Sequence, residues 1–224
     1  MSQHIKPSLV ENYLTRIIHY MTPLYPEVRC WWSTALVTQA LCRCKKLYPK
    51  LISRCHPLLP SKIDLLTSDY IHRPAHDDLL FLTQVLFGFV CLLWLGKLVF
   101  SDDQSLDAPQ KFPLQKSVSL ITEAASFFLP YHKADRFFEG NKIMALSNNT
   151  LSDPVSALTH YFNSHDNFFP EQHALWLCAN GRPPCYAWFL HWLCAICGNS
   201  IGGHSMCSRG ATALTNKGVP LDLI

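Results

Sequence analysis

The sequence predicts a mainly helical α+β fold, in which helices surround a small antiparallel sheet. Apolar residues recur at helical spacing up to residue 59, and an uncharged apolar segment follows at 79–96. Residues 117–131 then alternate and are rich in Ser, Val, Ile and Phe, a pattern that predicts two strands. Helical patterns resume after residue 150. Helices, a few strands and more helices indicate an α+β organisation rather than repeated βαβ units.

The composition restricts the class of protein without assigning a function. The chain has 224 residues, 49% of them hydrophobic, which suffices for one or two buried cores. A formal net charge of +3 permits a nucleic-acid partner but does not argue for one. The ten cysteines follow a mixed, polar N-terminus rather than a secretory signal, so we expect reduced thiols.

Two helices are predicted before residue 60. The first, PSLVENYLTRIIHYM, begins with Pro and Ser and has four apolar residues on one face: Leu9, Tyr13, Ile17 and Tyr20. The second is STALVTQALCRCKKLYP. Four basic residues lie at its end: Arg43, Lys45, Lys46 and Lys50. These residues could stabilise the negative partial charge of a helix C-terminus, or they could contact DNA phosphates. The sequence supports the two interpretations equally.

The next two segments are predicted to be a linker and a core helix. Residues 61–75 are polar and include several turn-forming residues, which favours a linker. Residues 79–96 approach the length of a membrane span, but Thr83 and Gln84 dilute the apolar segment and charges lie close to both of its ends. A helix that is buried on all sides has the same composition, and we favour that interpretation.

The second half of the chain is predicted to begin with a hairpin. Its two strands lie in SVSLITEAASFFLPY, with a turn near Glu123, and KIMALSN is a further strand. Three helical segments follow: DPVSALTHYFNSHD, CYAWFLHWLCAIC and GHSMCSRGATALTNKG.

Three segments of the chain together resemble one protein family. They are HDDLLFLTQVLFGFVCLLWLGKLVF, LPYHKADRFFEGNKI and GHSMCSRGATALTNKGVPLDLI. These resemble, in the same order, the segments LLRLGEL, LPxHKADxxxEG and GHSxRxGGATALAxAGVP of tyrosine recombinases, or phage-integrase-like proteins, of the kind abundant in fungal genomes. The N-terminal helices, including YPEVR, resemble the core-binding domain of that family. The resemblance therefore covers nearly the whole chain.

The resemblance implies a domain organisation. Residues 1–60 would form a helical, SAM-like core-binding domain that clamps DNA, and 61–75 would be the linker. Residues 76–224 would form an integrase-like catalytic domain of helices plus a small antiparallel sheet, which we expect to be incomplete at its C-terminus.

The resemblance also implies DNA recombination and integration, the activity of a mobile element. In the family a tyrosine attacks the DNA phosphodiester, while two arginines, a hairpin lysine and histidine attend the phosphate. Arginine suits the extra negative charge of the transition state because its planar fork pairs two oxygens at once. The implied partner is double-stranded DNA, with self-association on DNA. The implied location is the nucleus, without a membrane, a cofactor or a metal.

Only part of the family's catalytic set is present in this chain. Lys133 matches the hairpin lysine and His204 matches the motif histidine. Trp94 stands at the position of the first arginine, and Cys207 at that of the second. No tyrosine follows His204, so we expect the nucleophile to be missing and the chain to lack cleavage activity.

Two further positions depart from the family pattern. Lys97 replaces the acidic residue that follows the first arginine, and Arg209 replaces one of the paired glycines after the second. Without the resemblance, Trp94 in an apolar segment would be interpreted as core packing.

We expect weak, mostly non-specific binding to the DNA backbone. Five basic residues are the candidate contacts: Arg29, Arg43, Lys45, Lys46 and Lys50. The alternatives are a catalytically inactive relic, a repurposed helical interaction protein and a zinc-binding protein.

The zinc alternative depends on the stretch CAICGNSIGGHSMC. Its spacing, C-x2-C-x6-H-x2-C, would supply Cys194, Cys197, His204 and Cys207 as four ligands. Because the gap holds the histidine motif of the resembled family, we favour packing of the first two cysteines as small hydrophobic side chains.

Overall fold

The computed structural model describes most of the chain, with gaps between the described segments. The described residues are 7–47, 56–71, 75–103, 109–131, 139–198, 201–203, 205–216 and 218. The chain divides into two compact units, Met1–Ser53 and Arg54–Ile224. Each unit is described by itself.

The first unit consists of three helices in its described part. They are α1 (Pro7–Met21), α2 (Val28–Trp32) and α3 (Ala35–Leu47). The two helices predicted before residue 60 are therefore confirmed as α1 and α3. Helix α1 contacts both of the others, and Lys45 Nζ of α3 lies 2.7 Å from Glu11 Oε2 of α1. None of residues 9–47 is buried.

The second unit is mainly helical and contains a small sheet, as the fold class predicts. Its described helices are α4 (Pro60–Ile71), α5 (His76–Val90), α6 (Pro154–Phe168), α7 (Tyr186–Cys197) and α8 (Ser205–Asn216). Its strands are β1 (Ser119–Ile121), β2 (Ala124–Leu129) and β3 (Asn141–Leu146).

The sheet is antiparallel in the order β1-β2-β3. Ile121 pairs with Ala124, so the turn lies at residues 122–123 and the predicted turn near Glu123 is confirmed. The central strand, β2, packs its Phe127 ring against Phe87 of α5 and Trp176, at centroid distances of 5.5 Å each. The sheet is thereby attached to the core by its middle strand.

Helix α5 forms the centre of the second unit, as predicted for a helix that is buried on all sides. Every residue from Leu80 to Gly88 is buried. The ring of Phe81 lies 5.1 Å from that of Phe189 and 5.7 Å from that of Trp192, both on α7. Among the described residues, none of the helices is both long enough and apolar enough to cross a membrane.

The segment predicted as a linker, 61–75, is not a linker over residues 61–71, and residues 72–74 lie outside the described part of the chain. Residues up to Ile71 belong to helix α4, which packs against α5, and the boundary between the two units falls earlier, at residue 53. Ile63, Leu66 and Tyr70 are buried. Their spacing of three and four residues marks one helix face, but the Pro, Ser and Asp residues around them favoured a linker.

Candidate functional site

Trp94, which the resemblance would place at the position of the first arginine, lies just beyond the end of α5. The helix ends at Val90, earlier than the apolar segment does, because Leu92 has a positive φ of 54° and Trp94 is extended. A single 3-10 turn, Leu95–Lys97, follows and is anchored by the buried Leu95. Trp94 is 51% exposed, so the interpretation of this residue as core packing is wrong.

The segment that precedes His204 contacts the residue that follows Trp94. A Cβ atom placed on Gly203 would lie 2.9 Å from Leu95 Cδ2 and 3.1 Å from Leu95 Cβ. A larger residue at 203 would therefore require the Leu95 side chain to shift. The absence of a side chain allows the two segments to approach each other this closely.

Helix α8, which contains position 207, packs across the C-terminal end of α5. A Cβ atom on Gly210 would lie 2.2 Å from the backbone oxygen of Phe89. Further along the contact, a Cβ atom on Gly88 would lie 3.0 Å from Met206 Sδ. A glycine on each helix thus allows the third of the three motif segments to pack against the first.

The structure brings some of the predicted site positions together and leaves others outside its description. Two segments that contact each other in space hold these positions: one contains 94–97, and the other contains the backbone of 203 and 205–210. Lys133 and His204 lie outside the described residues. The same holds for the side chains of Cys207 and Arg209, of which only the place on α8 is described.

Two lysines lie over one tyrosine ring beside this junction. Lys97 Nζ is 4.3 Å, and Lys111 Nζ is 5.1 Å, from the centroid of the Tyr131 ring. Burial, and then the positive charge of Lys111, lowers the pKa of Lys97 below its usual value. The sequence analysis noted Lys97 only as a departure from the family pattern and did not identify Lys111 or Tyr131. Nothing in the local spacing connects these three residues.

The lysines and the tyrosine line an open cleft of about 550 Å³. Phe112 and Tyr186 add aromatic surface to it, and Asp102 and Asp103 also line it. The Asp102 carboxylate accepts a hydrogen bond from the Ala187 backbone N–H at 2.7 Å, at the beginning of α7. The cleft therefore combines positive charge, aromatic rings and a carboxylate that is held by a helix N-terminus.

The basic residues of the first unit have different surroundings from one another. Arg29, Arg43 and Lys46 are exposed, and Arg29 Nε donates a hydrogen bond to Thr22 Oγ1 at 3.3 Å. Lys45 is paired with Glu11, and the hydrogen bond to this carboxylate raises the pKa of Lys45. Lys50 lies outside the described residues. The pairing of Lys45 reduces the charge that this residue presents to a DNA phosphate.

Two of the three cysteines of the zinc alternative, Cys194 and Cys197, lie in the last turn of α7. Both are half-buried, and Cys197 packs against the hydrophobic core. Burial raises the pKa of the Cys197 thiol, which disfavours the thiolate that zinc would bind. Within the described part of the chain, no group of three or more His, Cys, Asp or Glu residues could hold a metal ion.

The side chain of Tyr161 is buried and hydrogen-bonded to the backbone. Its ring is buried, its hydroxyl donates a hydrogen bond to Leu175 O at 2.8 Å, and the hydroxyl accepts one from the Leu177 N–H at 3.0 Å. Burial raises the pKa of this phenol. The side chain therefore joins α6 to the segment around residue 176 and offers no accessible nucleophile.

Comparison of the chain with models of known protein families finds no match, and a search of curated proteins for similar sequences also finds none.

Proposed function

We propose that this chain is a tyrosine-recombinase-like protein of mobile-element origin that binds double-stranded DNA without cleaving it. The close approach of Gly203 to Leu95 supports this proposal. This contact places the segment of the histidine motif beside the segment that contains the first arginine position. The two segments lie more than a hundred residues apart in the chain. An accidental resemblance between separate segments would not require them to be neighbours.

The side chains at the two arginine positions argue against cleavage. The transition state of phosphodiester attack carries additional negative charge, which charged donors stabilise. The indole of Trp94 and the thiol of Cys207 cannot supply a guanidinium fork. Loss of one such donor costs on the order of a hundred- to a thousandfold in rate, so the loss of two makes cleavage extremely slow.

DNA binding in this proposal depends on contacts with the phosphate backbone. The exposed Arg29, Arg43 and Lys46 are the candidate contacts in the first unit. Phosphate contacts position a protein on DNA but do not read its sequence. Binding is therefore weak and similar for unrelated duplexes. It weakens at higher salt because the release of counterions from the DNA is then less favourable.

Fluorescence anisotropy with two unrelated short duplexes tests the binding. We expect similar affinities for both duplexes and a steep decrease as salt is raised. The variant Arg43→Gln/Lys46→Gln should bind more weakly, whereas the exposed Lys142→Gln, a single substitution in the second unit, serves as a control. Affinity that does not change with salt would contradict the proposal.

A nicked suicide substrate tests the absence of cleavage. After incubation with the full chain, denaturing electrophoresis should show no covalent adduct between protein and DNA. An adduct formed by the unmodified chain would mean that the assignment of Trp94 and Cys207 to the arginine positions is wrong.

A further inference from the structure

Lys97, Lys111 and Tyr131 come from three separate segments of the chain. Lys97 ends the 3-10 turn anchored by the buried Leu95, and it is followed directly by the buried Leu98. Lys111 ends a second 3-10 turn, Pro109–Lys111. Tyr131 lies two residues beyond the end of β2. The cluster is therefore a product of the tertiary structure.

The segment around Lys111 is fixed by backbone hydrogen bonds to the chain near residue 174. The Leu175 N–H donates to Pro113 O at 3.0 Å, and the Gln115 N–H donates to His173 O at 2.9 Å. These bonds position the second lysine within two residues of a fixed backbone. Both ammonium groups thus lie within about 5 Å of the centroid of one ring.

The positive charge of the pair is not neutralised by a salt bridge in the described part of the chain. No described carboxylate lies within 4.0 Å of either Nζ atom, although Asp102 and Asp103 line the same cleft. The face of the Tyr131 ring attracts both cations but carries no net charge. Burial lowers the pKa of Lys97, and the positive charge of Lys111 lowers it further, so the two like charges oppose each other.

An anion between the two ammonium groups would relieve this repulsion. We propose that Lys97 and Lys111 bind a phosphate group in the cleft beside Tyr131. The cleft, at about 550 Å³, has room for a phosphate together with an attached sugar or base, and Phe112 and Tyr186 give it aromatic surface.

The phosphate could come from two sources, the backbone of DNA or a free nucleotide. Binding of a DNA phosphate at this site rests on the proposed function, whereas binding of a free nucleotide does not. In either case the lysines supply charge near the position of the first arginine, where Trp94 supplies none.

The experiment uses the full chain, the double variant Lys97→Gln/Lys111→Gln and the control Lys142→Gln. One arm measures duplex DNA affinity by anisotropy across a range of salt concentrations. The other arm measures the binding of pyrophosphate and of a nucleoside triphosphate to the protein by calorimetry. Circular dichroism and urea unfolding establish that each variant is folded.

For DNA, we expect the double variant to lose one phosphate contact. The slope of log affinity against log salt should decrease in magnitude by about 1. At a salt concentration of about 0.1 M this corresponds to roughly tenfold weaker binding. The control should keep the slope of the unmodified chain, and Lys97→Arg/Lys111→Arg should largely retain it because both charges remain.

If the double variant does not fold, Lys111→Gln alone replaces it, since this side chain is exposed. A smaller decrease in the same direction is then expected. Equal DNA affinity of variant and unmodified chain, with no pyrophosphate or nucleotide binding that depends on the two lysines, would overturn the lysine site while leaving the proposed function intact.

Two other outcomes separate the site from the function. Pyrophosphate or nucleotide binding that is lost in the variant, without any DNA binding by the unmodified chain, supports the lysine site and overturns the proposed function. Absence of binding in both arms overturns both proposals.

Discussion

Helices α1 and α5 have the same length, 15 residues, and opposite surroundings. All of the described side chains of α1 are at least partly exposed, including the apolar residues Tyr13 and Ile17. In α5, by contrast, the nine consecutive residues 80–88 are all buried. Even the polar Thr83 and Gln84 are buried there, and each hydrogen-bonds to a backbone carbonyl.

The difference shows that similar helices can depend on different sources of stability. The apolar face of α1 is recognisable from spacing alone, although the face is not buried in the described structure. Helix α5 has little amphipathic pattern, and its stability comes from the helices and strand that pack around it. Substitutions in the two helices should therefore have very different effects.

The largest expected effect is that of Phe81→Ala in the middle of α5. The substitution removes ring contacts with Tyr70, Phe189 and Trp192 and leaves a cavity. We expect it to lower the free energy of unfolding by about 3–5 kcal/mol. The matched change Ile17→Ala in α1 should alter it by no more than about 0.5 kcal/mol, because Ile17 is half-exposed. Urea unfolding measures both, and equal effects would contradict the contrast between the helices.

Gly210→Ala tests the packing of α8 against the end of α5. The added methyl group would meet Phe89 O at 2.2 Å and Leu92 Cδ2 at 2.6 Å, so α8 must move. We expect a loss of about 1–3 kcal/mol, although alanine is otherwise favoured in helices. Gly96→Ala is the control, since a Cβ there meets nothing within 4 Å. A stabilising effect of Gly210→Ala would show that the two helices do not approach this closely.

A third test uses the pH dependence of the second unit. His165 of α6 is fully buried, and its Nε2 donates to Ala174 O at 3.0 Å. Burial lowers the pKa of His165 below the usual 6.5, an effect that the nearby His76 reinforces and Asp166 opposes. Because the unfolded chain binds the proton more readily, stability is complete above pH 6.5 and is lost as the pH falls below it.

Because of His165, the free energy of unfolding should decrease by up to about 1.4 kcal/mol for each pH unit below 6.5. Urea unfolding at several pH values measures it. His165→Gln should flatten the dependence, whereas His191→Gln on the exposed side of α7 should leave it unchanged. Identical pH profiles of the His165 variant and the unmodified chain would contradict the assignment.

The smallest effect is expected for the ion pair between α1 and α3. Lys45 Nζ and Glu11 Oε2 are 2.7 Å apart, but both side chains are about half exposed, so water and salt screen the pair. Glu11→Gln should cause a barely measurable loss of stability that disappears in high salt. A double-mutant cycle with Lys45→Gln measures the coupling. A large coupling that persists in high salt would show that this pair dominates the stability of the first unit.

Several elements of the fold were predictable from local patterns. Residues 7–21 and 35–47 have helical spacing and suitable ends, and the hairpin between 119 and 129 has Ile and Phe residues typical of strands on the two sides of a turn. These signals are local because each depends on residues only a few positions apart. The helices α6 and α7 were predicted for the same reason.

The candidate site was predictable only in part. The motifs include Trp94 and Lys97 but give no reason to associate Lys111 with them, because Lys111 lies fourteen positions after Lys97. Lys111 and Tyr131 join the site because separate segments fold against each other. Proximity between distant segments depends on the whole packing arrangement.

The sequence by itself determined where most helices and strands form, since turn residues and apolar periodicity act over a few residues. Only the tertiary structure decided that 60–71 is a helix rather than a linker, that α5 ends at Val90, and that two lysines meet over Tyr131. Each of these outcomes requires contact between segments far apart in the chain. The free energy of burying α4 against α5, for example, outweighs the local preference of its Pro, Ser and Asp residues for a turn.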